Sequence, residues 1–263
     1  MTLQISSDEY NTSVQATRKS TFASLKRSRL VFILRYLGTV LRTRRQALDG
    51  LYDTSAWAES SLEILQLLEN AGARFHVSGL DNIRKSAKPV VFISNHMSTL
   101  ETMILPGLIA PITDVTFVVK DSLVNHPLFG PVMRSRDPVT VARTNSRDDL
   151  VKVMTEGSSI LESGRSIVIF PQSTRREKFN PSEFNTLGVK LASRNRVTVI
   201  PIALRTDFWK NGRIVKDLGP FDRSAPVMIR FGLPMTVSGQ GKDEHNSIIN
   251  FISSSLEEWG SPV

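Results

Sequence analysis

The run Pro89-Val-Val-Phe-Ile-Ser-Asn-His-Met-Ser-Thr-Leu-Glu101 decides how the rest of the chain is read. Its first six residues are a short apolar, β-branched run of the kind a covered strand needs on both faces. Ser98 or Thr99 then offers a helix cap, and Glu101 falls in the first turns of a helix predicted over 99–110. The order is strand, turn, helix, with His96 delivered to the carboxyl end of the strand. Similar β-branched runs recur at 73–78, 114–119, 139–142, 166–170, 197–204 and 227–231. Helical periodicity occupies 125–134, 147–162 and 182–193 between them. Strands alternating with helices predict an α/β fold: a single domain over 73–263 whose largely parallel sheet is covered by helices.

Residues 1–72 read as an N-terminal helical extension. Residues 1–48 hold nine Lys or Arg against two acids, an arm of charge +7 in a chain of net charge +8. Positive charge therefore belongs to the arm and not to the domain, which argues against a nucleic-acid binder. Those charges bracket the apolar stretch Leu30-Val-Phe-Ile-Leu-Arg-Tyr-Leu-Gly-Thr-Val-Leu41. The stretch is shorter than the roughly 20 apolar residues of a spanning helix, holds Arg35, and lacks the cleavage site of a signal peptide. As a helix it puts Leu30, Ile33, Leu34, Leu37 and Leu41 on one side, with Arg35, Thr39 and Arg42 on another. Two readings stand for it: an amphipathic helix lying in an anionic membrane surface, or a helix docked on its own domain. The first predicts a monotopic protein at the cytoplasmic face of a membrane. A second helix, predicted over 55–71, either pairs with the first as a hairpin or covers the domain.

The chain has no cysteine, which excludes disulfides, thiolate metal sites and cysteine nucleophiles. Its four histidines, His76, His96, His126 and His245, form neither HxxxH nor HExxH, so no metal site is expected. His76 reads as a packed strand residue, and His126 and His245 as loop or cap residues. His96 is different. At a strand end, a neutral imidazole can take a proton from an alcohol while a carboxylate such as Glu101 fixes its tautomer.

Further blocks accompany His96. Asn95-His96-Met97-Ser98-Thr99-Leu100-Glu101 resembles an NHxSxxD block, and Lys120-Asp-Ser-Leu123 with Pro127 and Gly130 resembles K-x-x-L…P-x-x-G. Val141-Ala-Arg143 matches V-x-R, Phe170-Pro-Gln-Ser-Thr-Arg-Arg176 is similar to F-P-E-G-T-R-S, and Val199-Ile-Pro-Ile-Ala203 to V-V-P-V-A. In this order and spacing, over about residues 73–235, the chain resembles the lysophosphatidic-acid (1-acylglycerol-3-phosphate) acyltransferase family of glycerolipid acyltransferases. The resemblance implies that His96 is a general base oriented by Glu101. It implies that Lys120, Arg143 and Arg175 bind the acceptor's phosphate, and that Gln172, Ser173 and Thr174 form the acceptor and oxyanion region. It implies a lyso-lipid acceptor and an acyl thioester donor, acyl-CoA or acyl carrier protein, as co-substrate, with no cofactor. Oligomeric state is left open. Two positions depart from the pattern: Glu101 stands for an aspartate, and Gln172-Ser173 for Glu-Gly. Those departures keep a second reading in view, a catalytically weak or inactive lipid-binding protein of the same fold.

Overall fold

A computed structural model of the protein describes residues 5–13, 28–172, 174–212, 217 and 219–261. The chain begins with the two-residue strand β1 (Tyr10–Asn11) and the helices α1 (Arg29–Leu48) and α2 (Thr54–Asn70). Alternation follows: β2 (Phe75–Ser78), α3 (Leu80–Lys85), β3 (Val90–Ser94), α4 (Thr99–Ile109), β4 (Val115–Lys120), α5 (Asp121–Val124), α6 (Gly130–Arg134) and β5 (Val139–Val141). The fold closes with α7 (Ser146–Glu162), β6 (Ser166–Ile169), α8 (Leu187–Asn195), β7 (Thr198–Arg205), β8 (Val227–Phe231) and α9 (Lys242–Glu258).

The eight strands lie in the order β1-β2-β8-β7-β3-β6-β4-β5. From β7 to β5 every neighbour is parallel, whereas β8 runs antiparallel to β7 and β1 antiparallel to β2. Five carboxyl ends therefore share one edge, where an open α/β sheet gathers its ligands. The central strand β3 pairs Phe92 with Val168 on one side and with Ile200 on the other, and all five of its residues are buried. That is why its sequence is continuously apolar instead of alternating.

Helices α1 and α2 pair with each other and also seal one face of the sheet. Phe32, Tyr36 and Val40 of α1 join Leu65 and Leu68 of α2, Phe92 of β3 and Leu100 of α4 in one core. Phe32 also meets Trp209 edge-on with ring centroids 5.2 Å apart. Close contact between α2 and α4 depends on Gly107: a Cβ there would lie 2.9 Å from Ser61 Oγ and Leu62 Cγ. Its N–H donates instead to Ser61 Oγ at 2.7 Å.

The structure corrects four details of the sequence reading. The helix expected over 125–134 narrows to α6 (Gly130–Arg134), with α5 already ended at Val124, because Pro127 has no N–H to donate and disfavours helical backbone at His126. The helix expected from 182 begins at Leu187, since Asn180 caps a separate turn, Pro181–Glu183. His76 is exposed on β2, next to the edge strand β1, its Nδ1 2.8 Å from Asn11 Oδ1. Thr39 is buried, with its hydroxyl donating to Glu63 Oε1 at 3.0 Å, and so sits with the docked side of α1 and not with the arginines.

Candidate active site

His96 leaves the end of β3 on a turn fixed at every point. Asn95 exchanges hydrogen bonds with Leu204 of β7, donating to its carbonyl at 2.8 Å and accepting its N–H at 2.9 Å. The His96 N–H donates to Gln172 Oε1 at 2.8 Å, and its carbonyl accepts from the Arg176 N–H at 2.9 Å. Phe170 stacks on the imidazole with centroids 4.4 Å apart.

Glu101 reaches back around the start of α4 to meet this ring. It is the N3 residue of a capping box whose N-cap is Ser98, the position at which a glutamate normally turns to the preceding backbone. Its Oε1 lies 2.9 Å from His96 Nδ1 and accepts the N–H groups of Met97 at 2.6 Å and Ser98 at 2.8 Å. Oε2 accepts from Ser98 Oγ at 2.9 Å and Thr206 Oγ1 at 2.6 Å. The carboxylate is wholly buried. Burial alone would raise its pKa, yet the bonds from His96, Thr206 and the Ser98 backbone hold it below the usual range. With Nδ1–H donated to Glu101, the imidazole keeps its lone pair on Nε2. One carboxylate thus serves the cap and the histidine together.

His96 opens onto a cavity of about 600 Å³, within the ~300–1,000 Å³ range of small-molecule sites. Lys120, Arg143, Thr174 and Arg175 line the same cavity. Away from His96 its wall is a succession of rings: Phe170 to Phe117 at 6.3 Å, Phe117 to Trp57 at 5.7 Å, and the Arg136 guanidinium over Trp57 at 5.3 Å. Val40 of α1, Ile64 of α2 and Met103 of α4 add apolar surface, so the N-terminal helices are part of the site.

The parallel strands explain the convergence of the cations. Lys120 ends β4, Arg143 follows β5, and Arg175 follows β6. Arg143 has a left-handed backbone, φ 59°, held by Asp149 of α7. Asp149 accepts the N–H groups of Ala142 and Arg143, each at 2.8 Å. Partial burial draws the Arg143 pKa below its usual range, with Arg175 adding to that shift and Asp149 opposing it. Arg176 and Arg205 pair elsewhere, with Glu183 at 3.0 Å and Asp207 at 3.2 Å.

Of the residues expected in the acceptor region, Thr174 lines the cavity and Ser173 lies outside the described residues. Gln172 is buried beneath the site, with Oε1 on the His96 N–H and Nε2 without a partner among the described residues. The sequence reading missed Asp149, Thr206, Asn211 and Asp217. For Asp149 a signal was present, an acid in the first turns of a helix just after Val141-Ala-Arg143. The other three lie over 100 residues from the histidine block and look like ordinary polar loop residues.

Known proteins resemble this chain in sequence and in fold. A 1-acyl-sn-glycerol-3-phosphate acyltransferase of Pseudomonas aeruginosa is 30% identical over 172 residues, 65% of this chain and 63% of that protein. A chloroplastic 1-acyl-sn-glycerol-3-phosphate acyltransferase of Arabidopsis thaliana is 28% identical over 131 residues, 50% of this chain and 36% of that one. The chain thus spans less than two thirds of the length of these curated relatives. In fold it is similar to the crystal structure of the 1-acyl-sn-glycerophosphate acyltransferase PlsC from Thermotoga maritima, with a TM-score of 0.65 and 17% identity. That match covers 92% of this chain and 96% of the other. The Acyltransferase family model matches residues 74–205, half of the 263-residue chain and the stretch that carries His96, Glu101, Lys120, Arg143 and Arg175, and the protein belongs to that family.

Proposed function

We propose that this protein is an O-acyltransferase that moves a fatty acyl group from acyl-CoA or acyl carrier protein to the hydroxyl of lysophosphatidic acid or another lysophospholipid. The observation that carries the reading is the 2.9 Å contact of His96 Nδ1 with the buried Glu101, in the wall of a cavity shared with Lys120, Arg143 and Arg175. His96 Nε2 accepts the proton of the acceptor hydroxyl as its oxygen attacks the thioester carbonyl. The C–S bond then breaks, and the imidazolium returns the proton to the thiolate. Glu101 holds the ring and stabilises the imidazolium formed in between. Backbone N–H groups of residues 172–175 are the donors for the tetrahedral oxyanion. The three cations receive the acceptor's phosphate, for which guanidinium forks and an ammonium are suited. The apolar cavity takes the acyl chain.

The same reading makes the protein monotopic at the cytoplasmic face of a membrane, with residues 1–72 as the contacting part. Support comes from α1, which leaves Leu30, Leu34 and Leu41 exposed beside Arg35 and Arg42. Among the described residues no helix is long and apolar enough to cross a membrane.

Release of free thiol from acyl-CoA, measured with a panel of lyso-lipid acceptors, tests the reaction and identifies the acceptor together. His96→Ala is expected to lower acceptor-dependent turnover by about 10²- to 10⁴-fold. Full turnover in that variant would reject His96 as the base. Absence of thiol release from the wild-type protein with every acceptor would leave a lipid-binding role in place of catalysis.

A further inference from the structure

Asn211 and Asp217, which follow β7, contact Arg175 from beyond residue 205, where the match to the family model ends. Arg175 meets its protein acceptors through one nitrogen. Nη1 lies 2.8 Å from Asp217 Oδ1, donates to Asn211 Oδ1 at 3.3 Å, and donates to the Thr99 hydroxyl. The three acceptors are themselves tied to the histidine block. Thr99 Oγ1 donates to Asp217 Oδ1 at 2.7 Å, and Asn211 Nδ2 donates to the Met97 carbonyl at 3.0 Å. Among the described residues Nε and Nη2 of Arg175 have no hydrogen-bond acceptor, and both Arg175 and Asp217 line the cavity. A planar guanidinium pinned at one corner loses its freedom to rotate, and the Nε–Nη2 edge left over is a fork that fits two oxygens of a phosphate.

We propose that Asp217, with Asn211, is a positioning residue of the acceptor site: it anchors Arg175 by Nη1 so that the opposite edge of the guanidinium meets the acceptor's phosphate. This rests on the phosphate role given to Arg175 above. A competing possibility has the opposite sign. If the Asp217 carboxylate merely occupied the place of the phosphate, its removal would tighten acceptor binding.

The test is a double-mutant cycle on the full chain with hexanoyl lysophosphatidic acid as the probe. Its Kd is measured by calorimetry, and its KM and kcat by thiol release from acyl-CoA. Asp217→Ala is expected to raise Kd and KM about tenfold with kcat within about twofold, and Asp217→Asn, which keeps an acceptor oxygen, to rise less. In an Arg175→Ala background Asp217→Ala should add nothing, because its effect passes through that guanidinium. A Kd that is unchanged or lowered in Asp217→Ala, or an effect that persists in full without Arg175, overturns the proposal. Calorimetry decides this even if thiol release is absent. A protein that binds the probe through Arg175 and Asp217 but releases no thiol would sink the acyltransferase reading alone. Thermal midpoints of the two Asp217 variants identify a folding defect, and should Asp217→Ala fail to fold, Asp217→Asn and Asn211→Ala carry the same cycle.

Discussion

Glu101 is cut off from solvent, yet both of its oxygens accept hydrogen bonds. A buried carboxylate with so many donors aimed at it is held in the ionised form, and its folded pKa lies below the ordinary 4.5. The sign of the linkage follows. The carboxylate contributes stability above its unfolded pKa and loses that contribution as pH falls through the depressed folded value. Glu101→Gln removes the charge and, with its carbonyl kept on the N–H groups, turns an NH2 towards the hydroxyls of Ser98 and Thr206, at a cost of about 1–3 kcal/mol at neutral pH. The thermal midpoint of the variant should therefore lie below wild type at neutral pH and converge towards it as pH falls below the ordinary 4.5. A constant gap over that fall would mean that Glu101 does not titrate with folding. At this scale the sequence was most informative where chemistry is local. His96 and Glu101 were legible because a strand, a cap and a helix follow one another within thirteen residues. Thr206, which completes the cage around Glu101, and Asn211 and Asp217, which hold Arg175, come from the far side of β7. Nothing in a polar loop residue announces which distant strand end it will face.

Arg143 shows how an element turns a sequence block into a site. Its left-handed backbone is uncommon for a residue with a side chain and persists only where the surroundings over-determine it. Asp149, from the first turns of α7, supplies that by taking two successive N–H groups at 2.8 Å each. Asp149→Ala leaves those donors to water and frees the turn. The expected result is a several-fold rise in the acceptor's KM with kcat little changed, and a stability loss of about 1–2 kcal/mol. Urea titration and initial-rate kinetics read the two effects separately, and an unaltered KM would show that Arg143 reaches the site without this clamp. Most elements were legible from periodicity, because β3, β6 and β7 are buried continuously and α7 carries a single apolar stripe. The two-residue β1 has no periodicity to detect, and α3 spans only six residues. The missed helix α9 did carry a signal, since Ile248, Ile252 and Leu256 recur every fourth residue and are buried. Where 125–134 was read as one helix, the proline at 127 was the contrary evidence.

On the scale of the molecule, α1 has two apolar faces in different surroundings. Phe32, Tyr36 and Val40 are fixed in the core against Trp209 and the sheet. Leu30, Leu34 and Leu41, spaced at four and seven residues, stand between 57% and 64% exposed along one stripe of the same helix. Because the sequence offered docking and membrane contact as alternatives, it could not anticipate a helix whose opposite sides suit both. The site makes the outer stripe meaningful, since Thr39, Val40 and Thr43 of α1 line the cavity that carries His96. A membrane against the outer stripe would lie one helix away from the proposed acyl pocket. This geometry also decides how the membrane proposal is tested. Deleting residues 1–48 would strip Phe32, Tyr36 and Val40 from the core, and lost binding would then report lost folding. Replacing Leu30, Leu34 and Leu41 together by Ser leaves the core untouched and removes only outward-facing apolar area. Each fully buried leucine contributes about 1.5–3 kcal/mol, so partial insertion of three supports at least a tenfold loss of affinity for anionic vesicles. Sedimentation with phosphatidylglycerol vesicles measures it, alongside a thermal midpoint expected to stay within a few degrees of wild type. Binding that survives the triple substitution at full strength would move the membrane contact off α1.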